Sequence, residues 1–181
     1  MADLEIPDPS VVLLVGAAGA GKSTFAARHF PRDAILSSDA MRAAIAGDPA
    51  DQSATRPAFA ALHRSLDRRL ASGLLTVVDA TNVTAPARRA ILRLAARHAV
   101  PAIAIVLDLP GEVVRARNAA RPDRVPDHAV VRHLGQLATT FARAELAREG
   151  YATVIHLRSP AEVDRVRLRL APGASRPRAP R

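Results

Sequence analysis

A glycine-rich loop near the N-terminus has the composition and spacing of a site for nucleotide phosphates. The apolar segment 11–15, VVLLV, is followed directly by GAAGAGKST. This is the pattern G-x-x-x-x-G-K-[ST] between an expected strand and an expected helix, in which glycines let backbone N–H groups turn toward phosphate oxygens. The N-terminus of the helix adds the positive end of its dipole. The loop therefore predicts nucleotide binding by Gly16, Gly19, Ala20, Gly21, Lys22, Ser23 and Thr24.

Lys22 is the single lysine among the 26 basic residues of the chain. A compact ammonium group fits between phosphates, where a planar guanidinium is a poor substitute. We expect Lys22 to reach the β- and γ-phosphates of ATP or another nucleoside triphosphate, and the Ser23 hydroxyl to bind Mg²⁺. The alternative is a glycine-rich turn that only connects a strand to a helix.

Asp39 and Arg42 lie at the start of a predicted helix, just after the short apolar strand 34–36. Residues three apart share one face of a helix. A carboxylate at that place can take a proton from an acceptor hydroxyl that attacks the γ-phosphate, and a neighbouring arginine can bind an anionic acceptor. The alternative is a local salt bridge beside a capping aspartate.

Asp79 follows the next apolar strand, at about 74–78, and precedes Ala80, Thr81 and Asn82. A carboxylate at this place can hold a water molecule bound to Mg²⁺. Thr81 and Asn82 either donate hydrogen bonds to the substrate or form a turn.

Three arginines occur in the segment RNAARPDR: Arg117, Arg121 and Arg124. Phosphoryl transfer is accelerated by an arginine that meets the charge on the transferring group, and such arginines often lie on a lid. We expect Arg121 or Arg124 to have this role and Arg117 to contact the nucleotide. A basic surface turn is the alternative.

The order of apolar and amphipathic segments predicts an α/β fold. Five apolar strands alternate with helices, at about 11–15, 34–36, 74–78, 102–107 and 152–157. This pattern is typical of a parallel sheet covered on both faces, with ligands at the carboxyl ends of the strands. We expect a three-layer sandwich with a five-stranded parallel sheet and a helical lid at about 117–127.

The remaining boundaries follow from caps and breaks. Ser38 or Asp39 is expected to cap the helix that runs to about residue 46, and a loop is expected over 47–55. A long helix is predicted over 127–148 and a last one over 160–170, so that one domain spans 1–170. The Pro/Arg-rich segment 171–181 is expected to be a disordered tail.

The composition limits the classes of partner and compartment. The chain has 181 residues, a net charge of +9 and no cysteine, which excludes disulfides and fits the cytoplasm. No apolar run approaches the roughly 18 residues that span a bilayer, so we expect no membrane partner. The positive charge favours an anionic partner such as nucleic acid, with an arginine-rich solvated surface as the alternative. Aromatic residues make up 3% of the chain, which argues against a surface that stacks many bases.

Four segments in order, GAAGAGKSTFA, SSDAMR, VVDATNV and RNAARPDR, make the chain resemble the kinase domain of phage and bacterial 5′-polynucleotide kinases. The resemblance covers about residues 11–157. It implies transfer of the γ-phosphate of ATP, with Mg²⁺, to a 5′-hydroxyl of DNA or RNA. It further implies that Asp39 is the general base, that Arg42 contacts the acceptor phosphate next to the reacting nucleoside, and that Arg121 or Arg124 is the lid arginine.

Two other functions are compatible with the same loop. A small-molecule kinase acting on a sugar, an antibiotic or a nucleotide-sugar would share the loop and the base, and would differ in its acceptor pocket. A non-catalytic nucleotide-dependent switch would leave Asp39 without a role. The preference for DNA or RNA and the oligomeric state are open.

Overall fold

The computed structural model describes residues 3–47 and 55–172. Its elements in chain order are β1 (Asp3–Asp8), β2 (Val11–Val15), α1 (Lys22–His29), a 3₁₀ turn (Arg32–Ala34), β3 (Ile35–Ser37), α2 (Ser38–Ala46), α3 (Thr55–Ala71), β4 (Thr76–Asp79), α4 (Ala85–Arg97), β5 (Ala102–Leu107), α5 (Gly111–Ala119), α6 (Asp127–Ala142), α7 (Glu145–Arg148), β6 (Thr153–Leu157), α8 (Pro160–Arg165) and β7 (Arg167–Pro172). Strands β2 to β6 form one sheet in the order β3-β4-β2-β5-β6, and all its neighbours are parallel.

The central strand β2 shows why the sheet needs helices on both faces. Alternate side chains of a strand point to opposite faces. Val12 and Leu14 join one buried cluster with residues of α1 and α5, whereas Val11, Leu13 and Val15 join another with residues of α3 and α4. All five side chains are fully buried. The predicted three-layer α/β sandwich with a five-stranded parallel sheet is therefore confirmed.

The parallel register brings the carboxyl ends of three strands to one edge of the sheet. Asp79 at the end of β4 is in register with Ser37 of β3 and with Leu14 of β2. The backbone N–H of Gly16 donates to the carbonyl oxygen of Thr81, 3.0 Å away, so the segments that follow β2 and β4 are joined directly. The residues that follow β2, β3 and β4 are therefore held at this edge of the sheet.

The prediction of a last helix over 160–170 is wrong beyond Arg165. Strand β7 follows α8 and pairs with β1 in a separate parallel ribbon, in which Asp3 lies opposite Arg167 and Glu5 lies opposite Arg169. The segment RLRL alternates charged and apolar residues, which is the period of a strand, and opposite charges across the pair stabilise it. Ile6 of β1 is fully buried against the sheet of the main domain.

Three smaller predictions are also corrected. The helix predicted over 127–148 is broken between α6 and α7, where Ala144 has a φ of 49°. The cap of α2 is Ser37 and not Ser38 or Asp39, because the Ser37 hydroxyl accepts from the Ala40 N–H at 3.3 Å. Ala171 and Pro172 of the predicted tail belong to β7, and the rest of that tail, 173–181, lies outside the described residues, as do 48–54 of the predicted loop.

Across 3–47 and 55–172, every helix is too short or too polar to cross a membrane.

Candidate active site

The loop between β2 and α1 is built by two glycines in the left-handed region. Gly19 and Gly21 have φ angles of +90° and +93°, which side chains disfavour. A Cβ atom on Gly19 would also lie 2.4 Å from the carbonyl oxygen of Val114, so the glycine lets α5 pack directly on the loop. Helix α1 begins at Lys22, immediately after Gly21. The loop therefore presents the N-terminus of α1 in the geometry that binds phosphate.

Lys22 is buried beneath this loop, with 8% of its surface exposed. Its Nζ atom donates a hydrogen bond to the carbonyl oxygen of Ala17 at 2.9 Å. Burial lowers the pKa of Lys22 to about 8, against the attraction of Asp79 and Asp39. The ammonium group is short of compensating negative charge, which the phosphates of a nucleotide would supply.

Asp79 and Ser23 form a pair of oxygen groups beside Lys22. Asp79 is 6% exposed, and burial raises the pKa of its carboxyl group. The nearby Ser23 hydroxyl opposes this rise in the pKa of Asp79. This donor set fits Mg²⁺, which takes oxygen ligands and is held by one or two protein groups together with substrate phosphates and water. Ser23 and Asp79 are thus the residues that would hold the ion, which would neutralise phosphate charge.

Asp39 and Arg42 project from the first turns of α2 and form an ion pair. The Asp39 side chain is 48% exposed, whereas that of Arg42 is 14% exposed. The Ser38 hydroxyl donates to the same Asp39 oxygen at 3.3 Å. The carboxylate is therefore oriented by two donors and still accessible to a third molecule.

The predicted helical lid, 117–127, is helical only up to Ala119, where α5 ends, and at Asp127, where α6 begins. Asn118 closes the turn after α5, because its Nδ2 donates to the Val125 carbonyl at 2.7 Å and its Oδ1 accepts from the Val125 N–H at 3.1 Å. Arg121 lies within this turn, and its positive charge lowers the pKa values of both Lys22 and Asp79. Arg117 lies on α5 with Nη1 3.4 Å from where a Cβ on Gly21 would be.

One cavity of about 790 Å³ opens at this edge of the sheet. It joins the loop, the start of α2, the end of β4 and the lid. The predicted site residues that line it are Gly19, Ala20, Gly21, Lys22, Ser23, Thr24, Asp39, Arg42, Asp79, Thr81, Arg117 and Arg121.

Three predicted site residues lie outside that lining as far as the described residues define it: Gly16, Asn82 and Arg124. Gly16 is buried behind the loop, where a Cβ would lie 2.9 Å from the Leu107 carbonyl oxygen. For Asn82 the structure shows the turn, because its φ is 49° and its Nδ2 donates to the Leu14 carbonyl at 2.8 Å. Arg124 is exposed.

Residues 11–144 match the AAA domain family AAA_33. The chain belongs to this family. The match includes the loop, α2, the end of β4 and the whole lid.

Solved structures place this AAA domain among P-loop kinase folds. It is similar to a chain of the Pnkp1/Rnl/Hen1 RNA repair complex, with 24% identity, a TM-score of 0.65 and coverage of 76% of this chain and 47% of that chain. It therefore spans about half the length of that chain. A gluconokinase from Sinorhizobium meliloti is 16% identical, with a TM-score of 0.53 and coverage of 88% of this chain and 94% of the gluconokinase chain. Shikimate kinase from Acinetobacter baumannii is 21% identical, with a TM-score of 0.50 and coverage of 86% and 88%. No curated protein matches the chain.

The AAA domain also has lining residues that the sequence did not indicate. They lie on α1, α3, α6 and α8, and they include Arg28, Phe59, His128, Arg132, His133 and Asp164. Arg28 and Asp164 form an ion pair at 3.1 Å that joins α1 to α8. Side chains within helices have no local signature of a site, because only the packing of the helix decides which of them face the cavity.

His133 has an electrostatic link to the loop. Burial and the charge of Lys22 lower the pKa of this imidazole. Within the described part of the chain its Nδ1 atom is buried without a hydrogen-bond partner. Helix α6 thus brings a neutral imidazole to the side of the cavity where Lys22 lies.

Proposed function

We propose that the protein is an ATP-dependent kinase that transfers the γ-phosphate to the 5′-hydroxyl end of DNA or RNA, as in the repair of nucleic-acid ends. The observation that carries this proposal is the accessible Asp39 carboxylate, paired with Arg42, in the same cavity as Lys22 and Ser23. A nucleotide site alone needs no such pair. A bisubstrate site needs a proton acceptor and a group that holds the second substrate.

In the proposed reaction the acceptor hydroxyl gives its proton to the Asp39 carboxylate. Its oxygen forms a bond to the γ-phosphorus as the bond from that phosphorus to the β–γ bridging oxygen breaks, and ADP leaves. Lys22 and Arg121 stabilise the negative charge on the transferring group, because both are cations at the phosphate end of the cavity. Arg42 holds a phosphate of the acceptor by a charge-assisted hydrogen bond.

Two further facts support a polynucleotide over a neutral acceptor. The chain carries a net charge of +9, which favours association with a polyanion. The similar chain from the RNA repair complex shares the fold over 76% of this chain. The gluconokinase shares the fold as well, so the acceptor must be tested directly.

The deciding experiment measures label transfer from γ-labelled ATP, with Mg²⁺, to 5′-hydroxyl DNA and RNA oligonucleotides. Parallel reactions offer the same oligonucleotides with a 5′-phosphate, and sugars as small acceptors. We expect label on the 5′-hydroxyl oligonucleotides and none on the 5′-phosphorylated ones. Label on a sugar alone would assign the protein to small-molecule kinases. ATP binding without transfer to any acceptor would favour a nucleotide-dependent switch.

A further inference from the structure

Phe59 of α3 is an aromatic side chain at the acceptor end of the cavity. It lines the cavity together with Ser38, Asp39 and Arg42, because α3 packs against α2, the helix that carries these three residues. The other phenylalanine in the described lining, Phe25, is 2% exposed and belongs to the core. Phe59 is only partly buried, so its ring is available to a ligand.

The position of Phe59 on its helix also gives the ring a support in the core. Leu62, Leu66 and Leu70 continue the same stripe of α3 and are fully buried against the sheet. Phe59 begins this stripe and packs against the same cluster. One side of the ring is thus fixed by the core while the ring reaches the cavity, which is the arrangement that a stacking surface needs.

The ring next to Phe59 keeps this surface uncharged. The His63 imidazole lies one helical turn away, with ring centroids 6.3 Å apart and planes tilted by 58°. Burial and the charge of Arg93 lower the pKa of His63, so the imidazole is neutral near neutral pH. An uncharged aromatic surface next to the cationic Arg42 offers two different contacts, one for a flat base and one for a phosphate.

We infer that Phe59 is a specificity-determining residue on which the base of the acceptor's 5′-terminal nucleoside stacks. This inference rests on the proposed function, because it concerns the acceptor of the same reaction. Stacking on a single ring also agrees with the low aromatic content, since one base is bound rather than a series. It implies that the enzyme distinguishes an end that carries a base from an end that lacks one.

The test compares kcat/KM for two 5′-hydroxyl oligonucleotides, which differ only in whether the terminal nucleoside has its base or is abasic. We expect the protein to prefer the complete end by about 10-fold, since stacking on an aromatic side chain contributes that order of discrimination. Phe59→Leu should reduce the preference to about twofold, and Phe59→Tyr, which keeps a ring, should retain it. Each preference is a ratio within one preparation, so loss of folded protein does not change it.

Phe141→Leu is the matched control. Phe141 is also partly buried against the same cluster. It also has a histidine ring beside it, that of His156, with ring centroids 5.3 Å apart. In the described structure, however, Phe141 lies outside the cavity lining. This variant should keep the full preference for the complete end.

The results that would contradict the role of Phe59 differ from the result that would contradict the proposed function. An unchanged preference in Phe59→Leu, or a raised KM for ATP with the preference intact, overturns the role of Phe59 and leaves the kinase assignment standing. Absence of transfer to every oligonucleotide by the unaltered protein overturns the proposed function, and the role of Phe59 with it.

Discussion

The Nζ atom of Lys22 donates a hydrogen bond to the carbonyl oxygen of Ala17, 2.9 Å away in the same loop. The ammonium group is therefore held in place before any phosphate arrives. Its burial lowers the pKa of Lys22 to about 8, which means that the folded protein bears a penalty for the charged form. The residue that we propose to bind phosphate thus destabilises the protein without its ligand.

Replacing Lys22 by Met should abolish phosphate transfer and stabilise the ligand-free protein. The pKa of Lys22 falls from 10.5 to about 8, which corresponds to about 3 kcal/mol. Loss of the hydrogen bond to Ala17 offsets about 1 kcal/mol of that gain.

The pH dependence of the melting temperature checks the cause. Below about pH 8 the lysine is charged in both states, so the folded protein bears the full penalty. Between about pH 8 and 10.5 the unfolded chain binds more protons, and the stability conferred by this group rises with pH. The advantage of Lys22→Met should therefore be present at about pH 7 and shrink at about pH 10. An advantage that stays constant would exclude a buried charge as its source.

Asp39→Asn should remove the proton acceptor and leave the nucleotide site intact. We expect transfer to fall by at least about 100-fold, because an amide cannot accept the proton, while ATP affinity changes little. Single-turnover transfer and equilibrium binding measure the two quantities separately. Asp33→Asn is the control, since Asp33 is an exposed aspartate of the nearby 3₁₀ turn. Full activity in Asp39→Asn would remove this residue as the base.

Arg42→Ala should impair acceptors in proportion to their charge. We expect kcat/KM for an oligonucleotide to fall by about 10- to 100-fold, since hydrogen bonds to charged groups contribute on that scale. A nucleoside without a phosphate should lose less. Arg89→Ala, an exposed arginine on α4, should change neither value. Equal losses for the two acceptors would contradict a contact between Arg42 and phosphate.

The Arg88 side chain, which is fully buried, holds three segments together behind the site. It bonds both oxygens of Glu149 at 2.7 Å, bonds Glu145 at 3.0 Å, and donates to the Asn82 carbonyl at 3.2 Å. Arg88→Met leaves these carboxylates without their buried cation and should lower the free energy of unfolding by about 3–5 kcal/mol, measured in urea. Arg97→Met breaks an exposed ion pair with Asp67 and should cost less than about 1 kcal/mol. Similar losses of unfolding free energy in the two variants would mean that the buried Arg88 cluster contributes no more to stability than an exposed ion pair.

The site residues that the sequence predicts best are those that come directly after a strand. Asp39 and Asp79 could be placed together because parallel strands share one edge, and their position depends only on where each strand ends. Phe59 and His133 could not, because their orientation depends on how α3 and α6 rotate and pack. Arg88 had no signal either, since its glutamate partners lie far along the chain, in and beyond α7.

The strands of the fold also differ in whether their own residues or distant ones determine them. The five strands of the main sheet are rich in apolar, mostly branched residues and could be recognised by composition. Strand β7 alternates arginine and leucine and depends on β1, more than 150 residues earlier, for its hydrogen bonds. Each of the two paired segments carries only its own half of the strand pattern, so the sequence of 167–170 alone does not distinguish a strand from the end of a helix.

Arg121 and Arg124 can now be distinguished, although both lie in the same turn. Both side chains are exposed, but Arg121 lines the cavity and its charge acts on Lys22 and Asp79, whereas Arg124 lies outside the lining in the described structure. Arg121→Ala should therefore lower transfer by about 1000-fold, as expected when an arginine that meets the transferring phosphate is removed. Arg124→Ala, as the matched change on the same lid, should stay within about threefold of the unaltered protein. The measurement is single-turnover transfer at saturating ATP, which separates chemistry from nucleotide binding. The opposite ranking would mean that the lid turns on nucleotide binding to bring Arg124 inward.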